Sequence, residues 1–418
     1  MPFPFNSIRK PGESNGLART RPLQSRSRGT EIPRIVIRLL AILLGLIFVI
    51  SGIPSAQAQT YTVLYSFTGV GNGRSYGGLT QDSKGNLYGA NRYGGEWGEI
   101  FRLDASAKES VVWSSSGGDL GIYPYGGPVF ANGFLYAATS LSGFGCGVLF
   151  RLDLNGRTES LHTFGSPTQN ADGCVPQGDL IRDAAGSVYG TTASGGTFGF
   201  GTVYKIDASG TYTLLYNFAG PPNDGRAPSP GALILDAAGN MYGVTVSGGS
   251  HNFGTIFSID PTGKETVLYN FTGAADGKNP HGSLARTASG LLVATVSYGG
   301  TSQSCSGGCG VVFRVDMNGK GDVLHTFEFS VDGGLPSGGL VRDATGNLYG
   351  TTTVGGPLGH GVVFKLDPSG RETILHSFSS RDGAVPFTTL LLDSVGNLYG
   401  TTLYGGAEGQ GVIFKITQ

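Results

Sequence analysis

Five Asp-Gly-x-x-Pro segments place a carboxylate at the same point of a repeating pattern. Carboxylate oxygens are the ligands that Ca²⁺ takes in proteins, so one interpretation is a ring of calcium ligands. The alternative is turn chemistry, because Asp, Gly and a following Pro fix a loop without any ligand. We favour the turn, since a residue that recurs through the repeats usually serves each repeat, and we predict no metal site. The carboxylates are those of Asp172, Asp224, Asp276, Asp332 and Asp382.

The six histidines form no catalytic constellation in the sequence. His162, His325 and His376 fall inside predicted strands, where other repeats have Tyr or Trp, so we interpret them as ordinary strand residues. The other three lie in loops of different repeats, with nothing to bring a nucleophile close: His251, His281 and His360. Residues 73–77 match Gly-x-Ser-x-Gly, but the nucleophile elbow needs a helix after it, and none is predicted there. We therefore predict no catalytic residue and no cofactor.

Aromatic residues in the same loops are candidates for ligand binding, because their ring faces can stack on sugars or peptides. The alternative is that these rings pack the loops against each other. Together with the loop histidines they give the predicted ligand-binding residues: Trp97, Tyr123, Tyr125, Phe198, Phe200, His251, His281 and His360.

A repeat of about 50 residues must position all of these side chains. The segment GNLYGTT at 346–352 recurs, with variation, at seven places spaced by 48 to 56 residues between residue 60 and the end. Each copy has four strand-like pieces, A to D. In strand C the alternation puts Val362, Phe364 and Leu366 on one face and Lys365 on the other. Asp and Gly at the A–B and C–D links are typical of tight turns, as are 73 glycines in 418 residues.

We therefore predict an all-β fold, a seven-bladed β-propeller of four-stranded antiparallel blades. The repeats begin with a D-type strand, residues 62–67, and end with a C-type strand, residues 411–416. Pairing of these two segments would complete the last blade and remove two exposed sheet edges. An open β-solenoid is the alternative.

The repeat unit, GGLxxDxxGNLYGTTxxGGxxGxGxVFKLDxxGxxTxLxSF, resembles the GloVer (gloeo-verruco) tandem repeat of exported bacterial proteins. The resemblance covers residues 60–418. It implies secretion and a propeller fold, and the family has no assigned activity. Relatives often carry a C-terminal sorting anchor, whereas this sequence ends directly after a strand, so we expect release into the periplasm or the medium.

Residues 1–58 have the pattern of a signal peptide with a long polar n-region. Arg34 and Arg38 precede the apolar run Leu39–Ile50, and Ala56–Ala58 fits a cleavage site. The apolar run is shorter than the roughly 20 residues of a membrane helix, although an uncleaved anchor is the alternative. Residues 59–418 carry 20 Lys and Arg against 27 Asp and Glu, which argues against a nucleic-acid partner. We expect a secreted or periplasmic monomer that meets a membrane only through an uncleaved leader.

All four cysteines lie in the part predicted to be exported. An even count in an oxidising compartment indicates two disulfides, with a four-cysteine zinc site as the alternative. In the predicted propeller the B–C and D–A loops share one face, and both pairs fall there. We therefore predict Cys146–Cys174 and Cys305–Cys309. Closing the first loop would contribute about 3–4 kcal/mol in the chain-entropy model.

The B–C/D–A face is the predicted working surface, because its loops are longer and more varied than the turns of the opposite face. The first hypothesis is a recognition or scaffold module that binds a glycan, peptide or protein there. The second is an extracellular hydrolase or lyase acting on a polysaccharide at the channel mouth, and the third is a purely structural envelope protein. Two carboxylates about 5–10 Å apart in a cleft would favour a glycosidase, and an aromatic patch would favour binding.

Overall fold

Seven small antiparallel sheets make up the described part of this computed structural model, which comprises residues 59–69, 73–142, 145–165 and 171–418. The sheets form a ring, so the predicted seven-bladed propeller is confirmed. The leader predicted over residues 1–58 lies outside the described residues. Within the described ranges, no helix has the length and apolar character that a membrane crossing requires.

Each blade runs from strand A through B and C to strand D. In blades 2 to 5 strand A consists of two short pieces. Blade 1 comprises β2 Thr80–Gln81, β3 Leu87–Asn91, β4 Glu99–Leu103 and β5 Glu109–Ser114. Blade 2 comprises β6 Ile122–Pro124, β7 Val129–Ala131, β8 Phe134–Leu141, β9 Val148–Leu152 and β10 Thr158–Thr163. Blade 3 comprises β11 Cys174–Pro176, β12 Ile181–Arg182, β13 Val188–Ser194, β14 Thr202–Ile206 and β15 Tyr212–Asn217.

The remaining blades repeat this order. Blade 4 comprises β16 Gly225–Pro228, β17 Ile234–Leu235, β18 Met241–Gly248, β19 Thr255–Ile259 and β20 Glu265–Asn270, and blade 5 comprises β21 Lys278–Pro280, β22 Ala285–Arg286, β23 Leu292–Tyr298, β24 Val311–Val315 and β25 Gly321–Thr326. Blade 6 comprises β26 Val341–Arg342, β27 Leu348–Thr352, β28 Val362–Leu366 and β29 Glu372–Ser377. Blade 7 comprises β30 Leu391–Leu392, β31 Leu398–Thr401, β32 Val412–Thr417 and β1 Thr60–Ser66.

The ring closes as the sequence predicts. Strand β1 pairs antiparallel with β32, with Val63 opposite Phe414 and Ser66 opposite Val412. The first strand of the chain is thus strand D of blade 7, and blade 7 has the same four strands as the other blades.

The recurrent Asp-x-x-Gly-Asn-x-Tyr segment folds the A–B turn through one carboxylate. In blade 1, Asp82 Oδ1 accepts the backbone N–H groups of Lys84 and Asn86, both at 2.9 Å. Its Oδ2 accepts the Asn86 amide at 2.7 Å and the Tyr88 hydroxyl at 3.1 Å. Burial alone would raise the pKa of Asp82, but these donors hold the pKa below its usual value. The motif is therefore explained by the turn it builds.

Strand C packs its inward residues into the core of each blade. Val362, Phe364 and Leu366 are fully buried, as the alternation predicts. Phe364 lies opposite Gly350 of strand B, and a Cβ at Gly350 would meet the Phe364 ring at 2.6 Å. The glycine of the GNLYGTT segment thus leaves the space that the aromatic ring of the next strand fills.

Both predicted disulfides are present. Cys146–Cys174 joins the B–C loop of blade 2 to β11 of blade 3, with the Cα atoms 4.5 Å apart. Cys305–Cys309 closes a short loop in blade 5, with a Cα–Cα distance of 5.1 Å. The four-cysteine zinc alternative is therefore excluded, and the disulfides indicate an oxidising environment.

Glycines bring the A strands close together at the axis of the ring. A Cβ at Gly282 would clash with the backbone of Gly338 and Gly339 in the next blade, and one at Gly126 would clash with the backbone of Gly178. Neighbouring A strands also share hydrogen bonds, such as Leu340 N–H to Ser283 O at 3.3 Å. This close approach therefore holds the residues that precede these glycines in a narrow circle on the B–C/D–A face.

Candidate functional site

The Asp-Gly carboxylates fasten each D–A loop to the strand D that precedes it. Asp224 Oδ2 accepts the Tyr216 hydroxyl at 2.8 Å and the Ala219 N–H at 2.6 Å. Asp332 Oδ2 is hydrogen-bonded to His325 Nε2 at 2.8 Å, and Asp332 Oδ1 accepts the Glu328 N–H at 2.6 Å. The other three make the equivalent contact with a ring of strand D: Asp172 with His162, Asp276 with Tyr269 and Asp382 with His376.

These contacts give the strand histidines and the loop carboxylates a structural role at the outer edge of the blades. The carboxylate oxygens already accept hydrogen bonds from protein donors, which supports the turn interpretation. Among the described residues, no group of three or more His, Cys, Asp or Glu side chains is arranged to hold a metal ion.

Strand D of each blade lies beside strand D of the blade before it, and we call this contact the joint between two blades. The residue at the start of the later strand D packs at this joint, near the ring that the Asp-Gly carboxylate contacts. Tyr212 stacks on His162 with the ring centroids 3.6 Å apart. Three other joints have a glutamate there, Glu109, Glu265 and Glu372. In Glu265 and Glu372 one carboxylate oxygen is buried without a hydrogen-bond partner. Burial, followed by the charge of Asp224, raises the pKa of Glu265 to about 8. Burial and Asp332 raise the pKa of Glu372 to about 7, with His325 opposing.

These glutamates predict that stability falls as the pH rises from about 6.5 to 8.5. In that range the unfolded chain has lost the glutamate protons, while the folded protein still holds part of them, so raising the pH favours unfolding. The pKa values of His162 and His376 are lowered by burial, so they act on stability below this range. We expect a melting temperature a few degrees lower at pH 8.5 than at pH 6.5.

Thermal unfolding of Glu265→Gln tests the cause, with exposed Glu408→Gln as the control. In Glu265→Gln the fall in melting temperature between pH 6.5 and pH 8.5 is expected to be much smaller than in the wild type. In Glu408→Gln the fall should be the same as in the wild type. A wild-type melting temperature that stays level or increases over this range would contradict the prediction.

Seven residues of the D–A segments, one in each blade, form the floor of the B–C/D–A face at the axis. They occupy one position of the repeat: Tyr76, Tyr125, Gln177, Pro230, His281, Ser337 and Phe387. Five of them line a shallow depression: Tyr76, Pro230, His281, Ser337 and Phe387. This position is Tyr in blades 1 and 2 and differs in each of the other five blades, whereas the Gly and Leu positions that follow it are nearly constant. The variable residues therefore lie where a ligand on the axis would contact them.

An aromatic band extends from this floor over blade 1. We define it as Trp97, Tyr123, Tyr93, Tyr76, Tyr125, Phe387 and His281. Successive ring centroids lie 6.1 Å apart for Trp97–Tyr123, 5.7 Å for Tyr123–Tyr93, 6.2 Å for Tyr93–Tyr76, 5.9 Å for Tyr76–Phe387 and 5.3 Å for Phe387–His281. Tyr125 joins at 5.2 Å from Tyr76. Tyr93 is 46% exposed and Trp97 39% exposed, so these two rings of the band reach solvent.

Arg92 lies among four tyrosines of the band. Its guanidinium carbon is 4.9 Å from the Tyr125 ring centroid, and the rings of Tyr93, Tyr76 and Tyr123 lie at 5.3, 5.7 and 5.8 Å. These are cation–π distances. The Arg92 Nε is buried and has no hydrogen-bond partner.

Blade 1 departs from the other repeats beneath this arginine. Where blades 3 and 4 have a pair of threonines between strands B and C, blade 1 has Asn91 and Glu99, joined by a hydrogen bond of 2.8 Å. Glu99 is 1% exposed, and its burial raises its pKa to about 7, with Asn91 opposing. The scaffold alone does not require these residues, since other blades fold without them.

The structure brings together four of the eight predicted ligand-binding residues. Trp97, Tyr123, Tyr125 and His281 belong to the aromatic band. Burial lowers the pKa of His281 to about 4, so this imidazole is neutral at physiological pH.

The other four predicted residues are spread around the rim of the face. Phe200 and His360 occupy the repeat position of Trp97 in blades 3 and 6. The backbone oxygen of each accepts an N–H group of the next D–A loop, from Ala227 and Val385. Phe198, which is 55% exposed, and His251, which is bonded to Ser250 Oγ at 2.9 Å, lie two residues before that position.

Sequence reasoning missed Tyr76, Tyr93, Arg92 and Phe387. The signal that could have found Tyr76 and Phe387 is the variable residue before the Gly and Leu of each strand A. For Arg92 the signal is a charge at a place where every other copy is uncharged: Ser140, Ala193, Val246, Ser297, Thr353 and Leu403.

Asp179 lies below the floor on the axis. Its Oδ1 accepts the backbone N–H groups of Gly78 at 3.1 Å and Gly127 at 2.5 Å, and burial raises its pKa. Asp179 and Thr389 line both the floor depression and a cavity of about 160 Å³ on its other side. The axis is thus divided by packed strands near Asp179.

The fold and the loop face together define a seven-bladed β-propeller with a variable surface around its axis. The chain belongs to the Gloeobacter/Verrucomicrobia repeat family, whose model matches residues 44–229, 96–306 and 297–418. No curated protein matches the chain.

Two solved structures show the same fold at low sequence identity. Virginiamycin B lyase from Staphylococcus aureus is 14% identical, with a TM-score of 0.58 over 86% of this chain and 99% of that one. The extracellular domain of a one-component system from B. thetaiotaomicron is 11% identical, with a TM-score of 0.53 over 84% of this chain and 39% of that one.

Proposed function

We propose that this protein is an exported recognition module that binds a polysaccharide through the aromatic band. The observation that carries the proposal is the continuous series of rings from Trp97 to His281, because exposed tyrosine and tryptophan faces stack on the apolar faces of sugar rings. Tyr123 lies in β6, and the other rings lie in loop segments that the strands of the propeller hold at both ends, so little conformational freedom is lost when a ligand binds. The predicted leader and the two disulfides support a site of action outside the cytoplasm.

The two enclosed carboxyl groups beside the band, those of Glu99 and Asp179, are poorly placed for glycoside hydrolysis. Glu99 is enclosed, and one oxygen of Asp179 is held by two backbone N–H groups. A glycosidase needs an acid and a second carboxylate that both reach the scissile bond from an open cleft. The hydrolase or lyase alternative therefore rests on fold analogy, which does not determine activity.

The proposal is tested by incubating the purified protein with an array of polysaccharides and analysing the same wells for products. Retention of a polysaccharide without turnover supports the recognition module. Release of oligosaccharides would favour the enzyme, and retention of no polysaccharide at all would also overturn the proposal.

Replacing both Tyr93 and Trp97 by alanine is expected to weaken binding of the retained polysaccharide about tenfold or more. Both rings are partly exposed, at 46% and 39%, so their removal should lower the melting temperature by no more than a few degrees. Phe198→Ala is the matched control, because it removes an exposed ring from the same face outside the band. A loss of binding in the control, with none in the double variant, would place the site elsewhere on the rim.

A further inference from the structure

We propose that the ligand is an acidic polysaccharide whose carboxylate groups are bound by Arg92 and Arg74. This inference rests on the proposed function and names the chemical class of its ligand. It starts from the position of Arg92 in the middle of the aromatic band, where a sugar stacked on the rings would place its substituents.

In the described part of the chain, Arg92 forms no ion pair that would neutralise its charge. Among the described residues, no carboxylate lies within ion-pair distance of Arg92 or Arg74. This differs from Arg151 and Arg314, each of which pairs with an acidic residue of the adjacent strand D at 2.7–2.9 Å. The tyrosine rings attract the guanidinium cation through their faces, and among the described residues none accepts a hydrogen bond from its buried Nε.

Arg74 provides a second cation beside the first. The Arg92 N–H donates to the Arg74 carbonyl at 3.4 Å, so the two residues are neighbours on adjoining segments of blade 1. The Arg74 guanidinium carbon lies 5.1 Å from the ring centroid of Tyr404, which is 40% exposed. Arginine next to an aromatic face thus occurs twice in this region, once toward blade 2 and once toward blade 7. A polymer with an acid on each sugar could use both places.

The repeats provide an internal comparison for Arg92. This position lies within strand B in blades 2 to 5 and after the end of strand B in blades 1, 6 and 7, and six of the seven copies have an uncharged side chain there. Folding of a blade therefore does not require the arginine. Since placing a cation among aromatic rings removes water from it, an anionic ligand that restores its hydrogen bonds is the natural complement.

The other titratable groups around the band fit this assignment. Glu96, Asp119 and Glu408 are exposed on flanking loops and form no ion pair with either arginine. Glu99 is enclosed by strands B and C and bonded to Asn91. His281 adds no charge above about pH 5, because its pKa is about 4. The arginines therefore supply the positive charge of the band at neutral pH.

The test compares uronic acid polymers with their neutral counterparts. Polygalacturonate, alginate and hyaluronate are each measured beside the carboxyl-reduced form of the same polymer, which keeps the sugar rings and removes the charge. At least one acidic polymer should bind ten times more tightly than its reduced form, and this difference should shrink as the salt concentration rises.

Arg92→Met should abolish the preference for the acidic form, because methionine keeps an apolar stem but has no charge or donor. Arg92→Lys should retain part of it, since lysine keeps the charge but loses the planar N–H fork. Arg226→Met is the matched control: Arg226 lies over Phe200, 5.8 Å from the ring centroid, on the same face outside the band. It removes the same charge and should leave the preference unchanged.

The outcomes separate this inference from the proposed function. Equal binding of acidic and reduced forms, or an equal loss in Arg226→Met, would overturn the role of Arg92 while leaving a polysaccharide-binding band in place. If Arg92→Met fails to fold, the preference and its salt dependence in the wild-type protein, with Arg92→Lys, still decide the question. Binding to none of these polymers overturns the inference, and only failure of the wider polysaccharide array overturns the proposed function as well.

Discussion

Replacing Gly282 by alanine is expected to lower the free energy of unfolding by about 3 kcal/mol. The added Cβ would clash with the backbone of Gly338 and Gly339 in the neighbouring blade. A flexible side chain could move away from such a contact, but here the obstacle is a strand fixed by its own sheet and by the ring. Relief requires the A strands to separate, which would weaken the packing of the blades at the axis. Chemical denaturation of the variant and the wild type measures the difference.

Gly118→Ala is the control for this experiment. Gly118 has ordinary backbone angles, and a Cβ there would meet only Ser116 Oγ, at 3.7 Å. We therefore expect a change within about 0.5 kcal/mol. A Gly282→Ala variant as stable as this control would mean that the A strands are not packed as tightly as the structure indicates. It would also weaken the inference that the floor residues share one narrow circle.

The fold could be predicted from the sequence because the same pattern of turn and strand residues recurs seven times. The Asp of each A–B turn, the Gly under an aromatic ring and the alternation of strand C each specify short-range geometry, and repetition makes the pattern visible above chance. Closure followed from strand counting, since a D-type segment precedes the first strand A. The disulfides followed from assigning loops to one face. These inferences needed only the order of strands and the directions in which they run.

The candidate site was harder to predict because it depends on contacts between blades. Tyr76, Tyr125 and Phe387 are far apart in sequence and meet only because the A strands converge at the axis. The sequence pattern pointed to aromatic residues in loops and so identified Trp97 and Tyr123. It also selected Phe198 and Phe200, which lie in blade 3, outside the aromatic band. The Asp-Gly carboxylates show the same limit. Their turn role was foreseen, but their bonds to strand D rings depend on side-chain distances that no spacing reveals.

Tyr61→Ala is expected to destabilise the closure of the ring by about 3 kcal/mol. Tyr61 belongs to β1, and its ring stacks on His376 of blade 6 with the centroids 3.5 Å apart and an angle of 5° between planes. Its hydroxyl also donates to the Asp382 carbonyl at 2.6 Å. One side chain therefore joins the closing strand to the preceding blade. Thr62→Ala, at an exposed position of the same strand, should change stability by no more than about 0.5 kcal/mol.

Tyr212→Ala gives a second comparison, because Tyr212 makes the same contacts at an internal joint: it stacks on His162 and donates to the Asp172 carbonyl at 2.8 Å. Its strand, β15, continues directly from β14 through a hairpin, whereas β1 is held to β32 without a hairpin between them. Loss of the tyrosine should therefore let β1 detach locally, while β15 stays paired until its blade unfolds. Amide hydrogen exchange should show protection lost first in β1 of Tyr61→Ala and retained in β15 of Tyr212→Ala. Equal amide protection of β1 in Tyr61→Ala and of β15 in Tyr212→Ala would mean that β1 is held as firmly as a hairpin strand. It would also mean that Tyr61 is not required for closure of the propeller.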